Sequence, residues 1–294
     1  MMMKERFLNF LKFEKRYSPH TIHAYALEID NFLSFIELEN RTFEDVDHRF
    51  VRYYLATMKD SGKQASSINR SISSLRSFYK FLCREGLLTT SPMLLVHALK
   101  TPKKLPVVVE QEKMVALLDK GCSDPNNFEE VRDLIILELL FGTGIRLAEL
   151  LAIQEKDIDI YNRKILIFGK RGKERFVPIH QTLVENMKRY LQLKYAKELP
   201  NKSNHLIVTK EGKRAYPKLV YEIVQNYLGQ ITSQKKRSPH VLRHTFATAL
   251  LNNGADLNAI KELLGHAGLA ATQVYTHNSV ERLKSIYKQA HPKA

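Results

Sequence analysis

The sequence is poor in cysteine and has no long apolar run. These two absences argue against a disulfide-linked secreted protein and against a membrane-spanning one. Its two cysteines, Cys83 and Cys122, lack the spacing of metal ligands. They indicate a protein of a reducing cytoplasm rather than a disulfide-linked secreted one. The longest clean apolar stretch, 134–141, is interrupted by Glu138 and is far shorter than the roughly 20 residues that a membrane-spanning helix needs. We therefore expect no membrane span, and the charged N-terminus lacks the cleavage site of a secretory signal.

Motifs for nucleotide and metal chemistry are also missing. The sequence contains neither the G-x-x-x-x-G-K-[ST] phosphate loop nor the H-E-x-x-H zinc motif. His240 and His244 stand four residues apart and could supply half of a zinc site, but no third ligand lies at a suitable spacing. We therefore expect a protein that works without ATP, metal or any other cofactor.

Acidic residues are outnumbered, which points to a polyanionic partner. The chain has 46 Lys and Arg against 31 Asp and Glu, a net charge of +15. Nucleic acid is the leading partner and an acidic membrane surface the second. Residues 1–98 carry 14 basic against 11 acidic residues, whereas residues 99–294 carry 32 against 20. The C-terminal part therefore supplies most of the positive field.

The chain length of 294 residues favours two domains. Residues 99–109, LKTPKKLPVVV, contain two prolines and three lysines and cannot continue a helix, so they are typical of an extended linker. We predict an N-terminal domain over 1–98, a linker over 99–109 and a second domain over 110–294.

Apolar spacing predicts a helical N-terminal domain. Ser18 and Pro19 stand as the cap and first residue of a helix with apolar residues on one face, and a second clear helix is predicted over 66–85. The outward face of this second helix carries short polar side chains and the cations Arg70, Arg76 and Lys80. Two interpretations stay open for that face, namely contact with a DNA backbone and an ordinary solvated surface.

The second domain is predicted to be mainly helical with one small antiparallel sheet. The predicted helices are 111–120, 129–140, 147–152, 183–198, 217–231, 239–252, 257–264 and 280–290. The predicted strands are 157–161, 164–168 and 175–179, which are β-branched and aromatic and separated by turn residues.

Four segments of this second domain carry residues suited to phosphate chemistry. They are FGTGIRLAEL around Arg146, FGKRGKERFVPI around Lys170, SPHVLRHTFAT around His240 and Arg243, and LLGHAGLAATQVYTH around His266 and Tyr275. Each residue alone has an ordinary structural explanation, since Tyr275, for example, is one of 13 tyrosines. In their order and local sequence together, these segments resemble the tyrosine recombinase and integrase family, most closely the bacterial Xer-type recombinases. The resemblance extends over essentially the whole chain.

The residue types also meet the needs of phosphodiester cleavage. Cleavage requires an in-line nucleophile, neutralised nonbridging oxygens and a protonated leaving oxygen. Arg146 and Arg243 are permanently charged forks that match two phosphate oxygens, and His240 lies one helical turn before Arg243. A tyrosine hydroxyl, with an ordinary pKa of about 10, attacks only when its proton is accepted or its phenolate is stabilised. His240 and the two arginines can do both.

The resemblance assigns the remaining roles. It implies that Tyr275 forms a 3′-phosphotyrosyl intermediate, that His266 donates a hydrogen bond to a phosphate oxygen, and that Lys170 is the general acid. Lys173 is an alternative to Lys170, and Glu149 is expected to orient the cations of the site.

The resemblance also implies the architecture and the partners. The expected architecture is a four-helix, SAM-like core-binding domain and a catalytic domain that close around duplex DNA as a clamp. Site-specific strand exchange through a Holliday junction would take place in a tetramer, either of this chain alone or with a related recombinase. The residues expected to contact DNA are Arg70, Arg76, Lys80, Lys103, Lys104, Arg171 and Lys173.

Several alternatives stay open. A type IB topoisomerase uses related chemistry, and a catalytically idle DNA-binding protein could use the same fold. Chromosome dimer resolution, mobile-element integration and DNA inversion are all compatible with a recombinase.

The C-terminal helix poses a further question. Ser279 can cap it, and Val280, Leu283, Ile286 and Tyr287 lie along one side. The helix can fold back on its own domain or dock on a neighbouring protomer, and the resemblance favours docking on the neighbour.

Overall fold

The computed structural model describes residues 2–102, 107–169, 174–196, 203–265 and 285–291. The chain divides into two compact units, Met1–Lys104 and Leu105–Ala294. The division falls inside the segment 99–109, where the sequence predicts a linker. Within the described residues, no helix is both long and apolar enough to span a membrane.

The N-terminal unit is built from helices. These are α1 (Met2–Asn9), continued by a π-helical turn (Phe10–Glu14), then α2 (Pro19–Leu38), α3 (His48–Asp60) and α4 (Ala65–Arg84). The start of α2 is the predicted one, because the Ser18 side chain accepts a hydrogen bond from the backbone N–H of Thr21 at 3.3 Å. Pro19 occupies the first helical position, where its missing N–H costs nothing.

Aromatic side chains hold this unit together. The ring of Phe32 on α2 lies 5.0 Å from that of Tyr54 on α3, and the ring of Phe7 on α1 lies 5.2 Å from that of Phe78 on α4. Both pairs meet edge to face, the arrangement that aromatic quadrupoles favour. The buried face of α4 carries apolar residues at intervals of three and four, among them Ile68, Ile72, Leu75, Tyr79 and Leu82.

The second unit surrounds one small sheet with helices. Its elements are α5 (Gln111–Lys120), α6 (Phe128–Thr143), α7 (Leu147–Leu150), β1 (Ile158–Asp159), β2 (Lys164–Phe168), β3 (Glu174–Pro178), α8 (Gln181–Ala196), α9 (Pro217–Ile231), α10 (Pro239–Asn252) and α11 (Leu257–Leu264). The strands pair antiparallel in the order β1-β2-β3, and Ile165 of β2 stands opposite Val177 of β3. The fold is therefore mainly α with a small antiparallel sheet, as predicted.

Helix α6 forms the centre of the second unit. Its residues are apolar on nearly every side and almost all are buried, which is typical of a core helix. Glu138 is one of its buried charged residues, and the side-chain amide of Asn186 on α8 lies 3.1 Å from each of its carboxylate oxygens. The helix ends at Gly144, which has a left-handed φ of +61°. A Cβ there would lie 2.3 Å from Cδ1 of Phe246, so this turn requires glycine.

Some elements are shorter than the sequence predicts. Helix α7 ends at Leu150 rather than at residue 152, and β1 spans only two residues. Beyond α7 the backbone is engaged elsewhere, because the Leu151 carbonyl accepts from Arg214 at 2.9 Å and the Ile153 carbonyl accepts from the Leu206 N–H at 2.8 Å. These partners lie more than 50 residues away in sequence, so local propensity does not reveal them.

The C-terminal helical segment, 285–290, packs against its own unit in the single chain. Tyr287 and Ala290 are buried in a cluster with Phe246 and Leu250 of α10. The Tyr287 hydroxyl donates to the Gly142 carbonyl at 2.8 Å. The single chain thus shows the folded-back arrangement rather than the docking that the resemblance favours. Docking on a neighbouring protomer stays a prediction for an assembled complex, and Ser279, Val280 and Leu283 lie outside the described residues.

Candidate active site

Two helix ends meet at the candidate site. Helix α6 ends at Gly144 and α11 ends at Gly265, and both glycines are left-handed. The last carbonyls of a helix lack partners inside the helix and form its negative end, so they attract cations. Arginine side chains from three different elements donate to these carbonyls, as follows.

Arg243 is held at both helix ends. It points from α10 into the site, is 6% exposed, and donates to the Gly144 carbonyl at 2.5 Å and the Leu264 carbonyl at 2.7 Å. Burial, together with the positive charge of Arg146, lowers its pKa to about 10. At neutral pH the guanidinium is still protonated. A cation held in this way needs little reorganisation to meet a phosphate.

Arg146 stands at the start of α7. Its Nη2 donates to the Gly265 carbonyl at 3.1 Å, and its Nη1 donates to Oε1 of Glu149 at 2.9 Å. The side chain is 38% exposed. Because a guanidinium has five N–H groups and these contacts use two, this arginine can reach an incoming phosphate while it stays anchored.

Glu149 accepts hydrogen bonds at both carboxylate oxygens. Besides the Arg146 side chain, it binds the Arg146 backbone N–H at 2.9 Å, and Arg175 approaches as a two-pronged fork at 3.0 and 2.8 Å. Burial by itself would raise the pKa of Glu149, but the hydrogen bonds and charge of Arg175, assisted by Arg146, outweigh burial and lower it. Glu149 is therefore an anion at neutral pH. This environment suits the orienting role that the sequence predicts.

Sequence reasoning missed Arg175. It lies on β3 opposite Ile167 of β2 and is 5% exposed. A usable signal exists, since Arg175 and Val177 alternate onto the buried face of the strand, where an apolar residue is the norm. A charged residue at such a position requires a buried partner, but only the fold identifies that partner as Glu149.

His240 lies one helical turn before Arg243 at the start of α10 and is exposed at the surface. Its ring stacks on that of His244 with centroids 6.2 Å apart. Partial burial lowers the pKa of His240, and the positive charges of His244, Arg243, Lys236 and Arg146 lower it further. The imidazole is therefore neutral at pH 7 and can accept a proton.

The structure brings together Arg146, Glu149, His240 and Arg243. Together with Arg175, these residues supply three guanidinium groups and one carboxylate. The net charge of these groups is +2, which suits the binding of a phosphate diester. The predicted Lys170, Arg171, Lys173, His266, Tyr275, Lys103 and Lys104 lie outside the described residues. Some of their sequence neighbours are described, since β2 ends before Lys170, β3 begins after it, and the end of α11 directly precedes His266.

The candidate DNA-contacting residues of the N-terminal unit have partners of their own. Arg70 pairs with the buried Glu28 at 3.1 Å, and Arg76 donates to the Val96 carbonyl at 2.7 Å. Lys80 is exposed on the same helix. Arg70 and Arg76 remain largely on the surface, but part of each guanidinium is already used to hold the unit together.

Among the residues that the structure describes, no three or more His, Cys, Asp or Glu side chains cluster as a metal site would require. His240 and His244 are close, as their spacing predicts, but the described groups around them are arginines and lysine, which repel a cation.

Comparison with known proteins places this site in a family. Residues 108–282 match the profile of the phage integrase family, and residues 5–86 match that of the phage integrase N-terminal SAM-like domain. The chain is 39% identical over 300 residues to tyrosine recombinase XerC of Listeria innocua serovar 6a, with 99% of this chain and 98% of that protein covered. It is 35% identical over 294 residues to tyrosine recombinase XerD of Staphylococcus saprophyticus subsp. saprophyticus, with the same coverage.

A solved structure supports the fold. The XerH site-specific recombinase, bound to a palindromic difH substrate in a post-cleavage complex, superposes with a TM-score of 0.74 at 23% identity, covering 96% of this chain and 83% of that chain. The similarity extends through both units of the chain, and the basic site lies within the matched catalytic region. The chain therefore belongs to the phage integrase family and is a site-specific tyrosine recombinase.

Proposed function

We propose that the arginine cluster at the ends of α6 and α11 holds the scissile phosphate while Tyr275 attacks it. One observation carries this proposal: guanidinium groups from α7, α10 and β3 converge on two helix ends and on a single carboxylate. The three elements are far apart in sequence, and a surface that merely binds DNA does not need to bury so much fixed positive charge. Preorganised charge of this kind is what a phosphoryl transition state requires.

Cleavage proceeds as an in-line displacement. The Tyr275 hydroxyl oxygen bonds to phosphorus as its proton passes to His240, whose lowered pKa keeps it neutral and ready to accept. Arg146, Arg243 and His266 bind the nonbridging oxygens. The bond from phosphorus to the 5′ oxygen breaks, and Lys170 supplies the proton that turns this oxygen into a free hydroxyl.

Rejoining reverses these steps on a partner strand. A 5′-hydroxyl attacks the 3′-phosphotyrosyl bond, its proton returns to Lys170, and the tyrosine oxygen leaves with the proton held by His240. The number of phosphoester bonds is unchanged, so the reaction needs no energy source. Divalent metal is also unnecessary in this scheme, because the arginines neutralise the phosphate charge.

We propose that duplex DNA is the substrate, that both units bind it, and that four protomers assemble on two sites in the cytoplasm. The net charge of +15 and its concentration in residues 99–294 support a polyanionic substrate. Relatives of both names, XerC and XerD, reach 35% identity or more. This similarity fits a tetramer of one chain as well as one shared with a related recombinase.

Covalent trapping tests the proposal and identifies the target sequence in the same experiment. The purified chain is incubated with a nicked genomic DNA library, adducts are recovered after denaturation, and the attached ends are sequenced. We expect adducts at one short sequence, linked through Tyr275 in the digested peptide. Tyr275→Phe removes one oxygen and should bind the recovered site unchanged but form no adduct. An adduct in that variant, or one linked through another tyrosine, refutes the assignment.

A second assay separates recombination from DNA relaxation. A plasmid with one recovered site and a plasmid with two are incubated with the protein, with and without EDTA. A recombinase yields deletion or inversion products from the second plasmid, with no loss of activity in EDTA. A type IB topoisomerase would relax both plasmids and yield no rearranged product.

A further inference from the structure

Arg175 is a buried cation of the arginine cluster for which the proposed mechanism names no contact with the substrate. Its side chain is 5% exposed, and burying a charge costs several kcal/mol unless its partners compensate. Its position on β3 faces the interior, where the strand pattern would accept an apolar residue without that cost. The contacts that it makes there therefore decide whether its role goes beyond packing.

The contacts of Arg175 join three separate parts of the site. Its Nε donates to the Leu263 carbonyl on the last turn of α11 at 2.9 Å, and both Nη groups donate to Glu149 at 3.0 and 2.8 Å. Glu149 in turn binds Arg146 through its side chain and its backbone N–H. A single guanidinium therefore ties β3 to the start of α7 and to the end of α11.

Each of these three parts carries a residue of the proposed mechanism. Arg146 lies three residues before Glu149, His266 lies three residues after Leu263, and Lys170 lies five residues before Arg175 in sequence. In the part of the chain that the structure describes, Arg175 lies on β3 and its side chain contacts the other two parts. Displacing it would loosen three catalytic groups together.

Packing around the guanidinium is close enough to transmit such a displacement. Gly265 caps α11 with a φ of +65°, and a Cβ at that position would lie 3.0 Å from Nη1 and 3.2 Å from Cζ of Arg175. The end of α11 thus rests directly on the arginine. Arg146 also donates to the Gly265 carbonyl, so the two arginines hold the same helix end from different elements.

We propose that Arg175 is a positioning residue for strand cleavage. Through Glu149 it aims the Arg146 guanidinium at the scissile phosphate, and through Leu263 it fixes the helix end that precedes His266. Without the Arg175 guanidinium, Arg146 is the one cation left beside Glu149 among the residues that the structure describes. Glu149 then draws the Arg146 side chain away from the phosphate. This inference rests on the proposed phosphate-binding role of Arg146.

Lysine is an informative substitution at this position. It keeps the positive charge but cannot make two parallel hydrogen bonds to Glu149 while also reaching the Leu263 carbonyl. A misplacement of about 1 Å in a catalytic group can cost on the order of 100-fold in rate. We expect Arg175→Lys to lower the single-turnover rate of covalent adduct formation by about 10- to 100-fold.

A neutral phosphate analogue distinguishes positioning from general damage. The probe is a nicked duplex of the trapped target sequence, prepared either with a normal scissile phosphate or with a methylphosphonate that lacks one charged oxygen. A defect in aiming Arg146 matters less when there is less charge to neutralise. The loss in Arg175→Lys should therefore shrink at least several-fold on methylphosphonate, and Arg146→Lys should behave in the same way.

Arg132 provides the matched control. It is also a buried arginine of the second unit, and it donates to Asp133 at 2.9 and 2.7 Å. Arg132→Lys should lower thermal stability about as much as Arg175→Lys, yet change the adduct rate less than threefold and equally on both probes. The double variant Arg146→Lys/Arg175→Lys should lose less than the product of the two single losses, because the two side chains share the route through Glu149.

Several results would overturn the inference. Equal losses on both probes, or fully additive losses in the double variant, would show that Arg175 only stabilises the unit. An unchanged adduct rate in Arg175→Lys would remove any role in cleavage. Failure of the underlying proposal would look different, since Arg146→Lys itself would then cleave normally or show no difference between the probes.

Discussion

The arginines of the two units are held in different ways, although both sets are expected to meet DNA phosphates. In the second unit, Arg243 is 6% exposed and donates to carbonyls from two helix ends. In the N-terminal unit, the Arg70 side chain is 59% exposed and pairs with one carboxylate. A fixed fork has already lost its rotamer freedom before it meets a phosphate, whereas an exposed one loses it on binding. The first arrangement suits chemistry at one phosphate, and the second suits contact along a backbone.

Of the variants that test this difference between the units, Arg243→Lys should have the largest effect on cleavage. Lysine cannot reach two carbonyls and a phosphate oxygen at once, so we expect a loss of about 100- to 1000-fold in single-turnover cleavage with DNA binding reduced far less. Arg214→Lys, which alters an arginine bound to the Leu151 carbonyl in the same unit, serves as the control and should cleave normally. Normal cleavage by Arg243→Lys would mean that its fixed geometry has no catalytic purpose.

Two left-handed glycines extend the comparison to stability. Gly144→Ala combines a strained φ of +61° with a Cβ 2.3 Å from Phe246, and should cost about 2–5 kcal/mol in the second unit. Gly62→Ala in the N-terminal unit meets no atom within 4 Å at a φ of +80°, so about 1–2 kcal/mol is expected. Calorimetric unfolding of both variants measures the difference. Equal shifts would show that the contact with Phe246 relaxes without cost.

The pH dependence of cleavage tests the neighbours of His240. Its pKa lies below the ordinary 6.5, so the proton-accepting neutral form persists below that pH and is lost only as the pH falls through the lowered value. We therefore expect the cleavage rate to fall on the acid side of pH 6.5, which is the acid limb of its pH profile. Below the lowered pKa of His240, the rate should drop tenfold for each further pH unit. His244→Gln removes one positive neighbour and should move the limb upward. A limb that His244→Gln leaves in place would contradict the electrostatic cause.

The smallest expected effects concern the exposed face of α4. Lys80→Ala should reduce the slope of log affinity against log salt by about 0.9, the value for one lost phosphate contact, without changing stability. Arg76→Ala should reduce the slope similarly and also lower the stability of the N-terminal unit, because its bond to the Val96 carbonyl is lost. Salt titrations of DNA binding and thermal unfolding measure both effects. An unchanged slope in both variants would favour the solvated-surface interpretation.

Local signals predicted much of the fold. The cap at Ser18, the apolar face of α4 and the turn residues around β2 act within a few positions of the chain, so their effects can be recognised in the sequence. Helix α9 and helix α10 both begin with a proline and span the predicted ranges. The early end of α7 was missed because its cause is a pairing with residues beyond 200.

The sequence by itself determined the family and the candidate chemical groups, because residue types and their order carry that information. It singled out Arg146 and Arg243 as phosphate-binding candidates, and their roles stay predictions, as do those of Lys170, His266 and Tyr275. Only the tertiary structure decided what holds the arginines, since the carbonyls of Gly144 and Leu264 become acceptors when two helix ends meet. The same holds for Arg175, whose partner Glu149 is 26 residues away in sequence and comes within hydrogen-bond distance only in the folded unit. A charged residue at a buried position requires a partner, and the sequence can indicate that requirement. The partner's identity depends on which residue the fold brings near it in space.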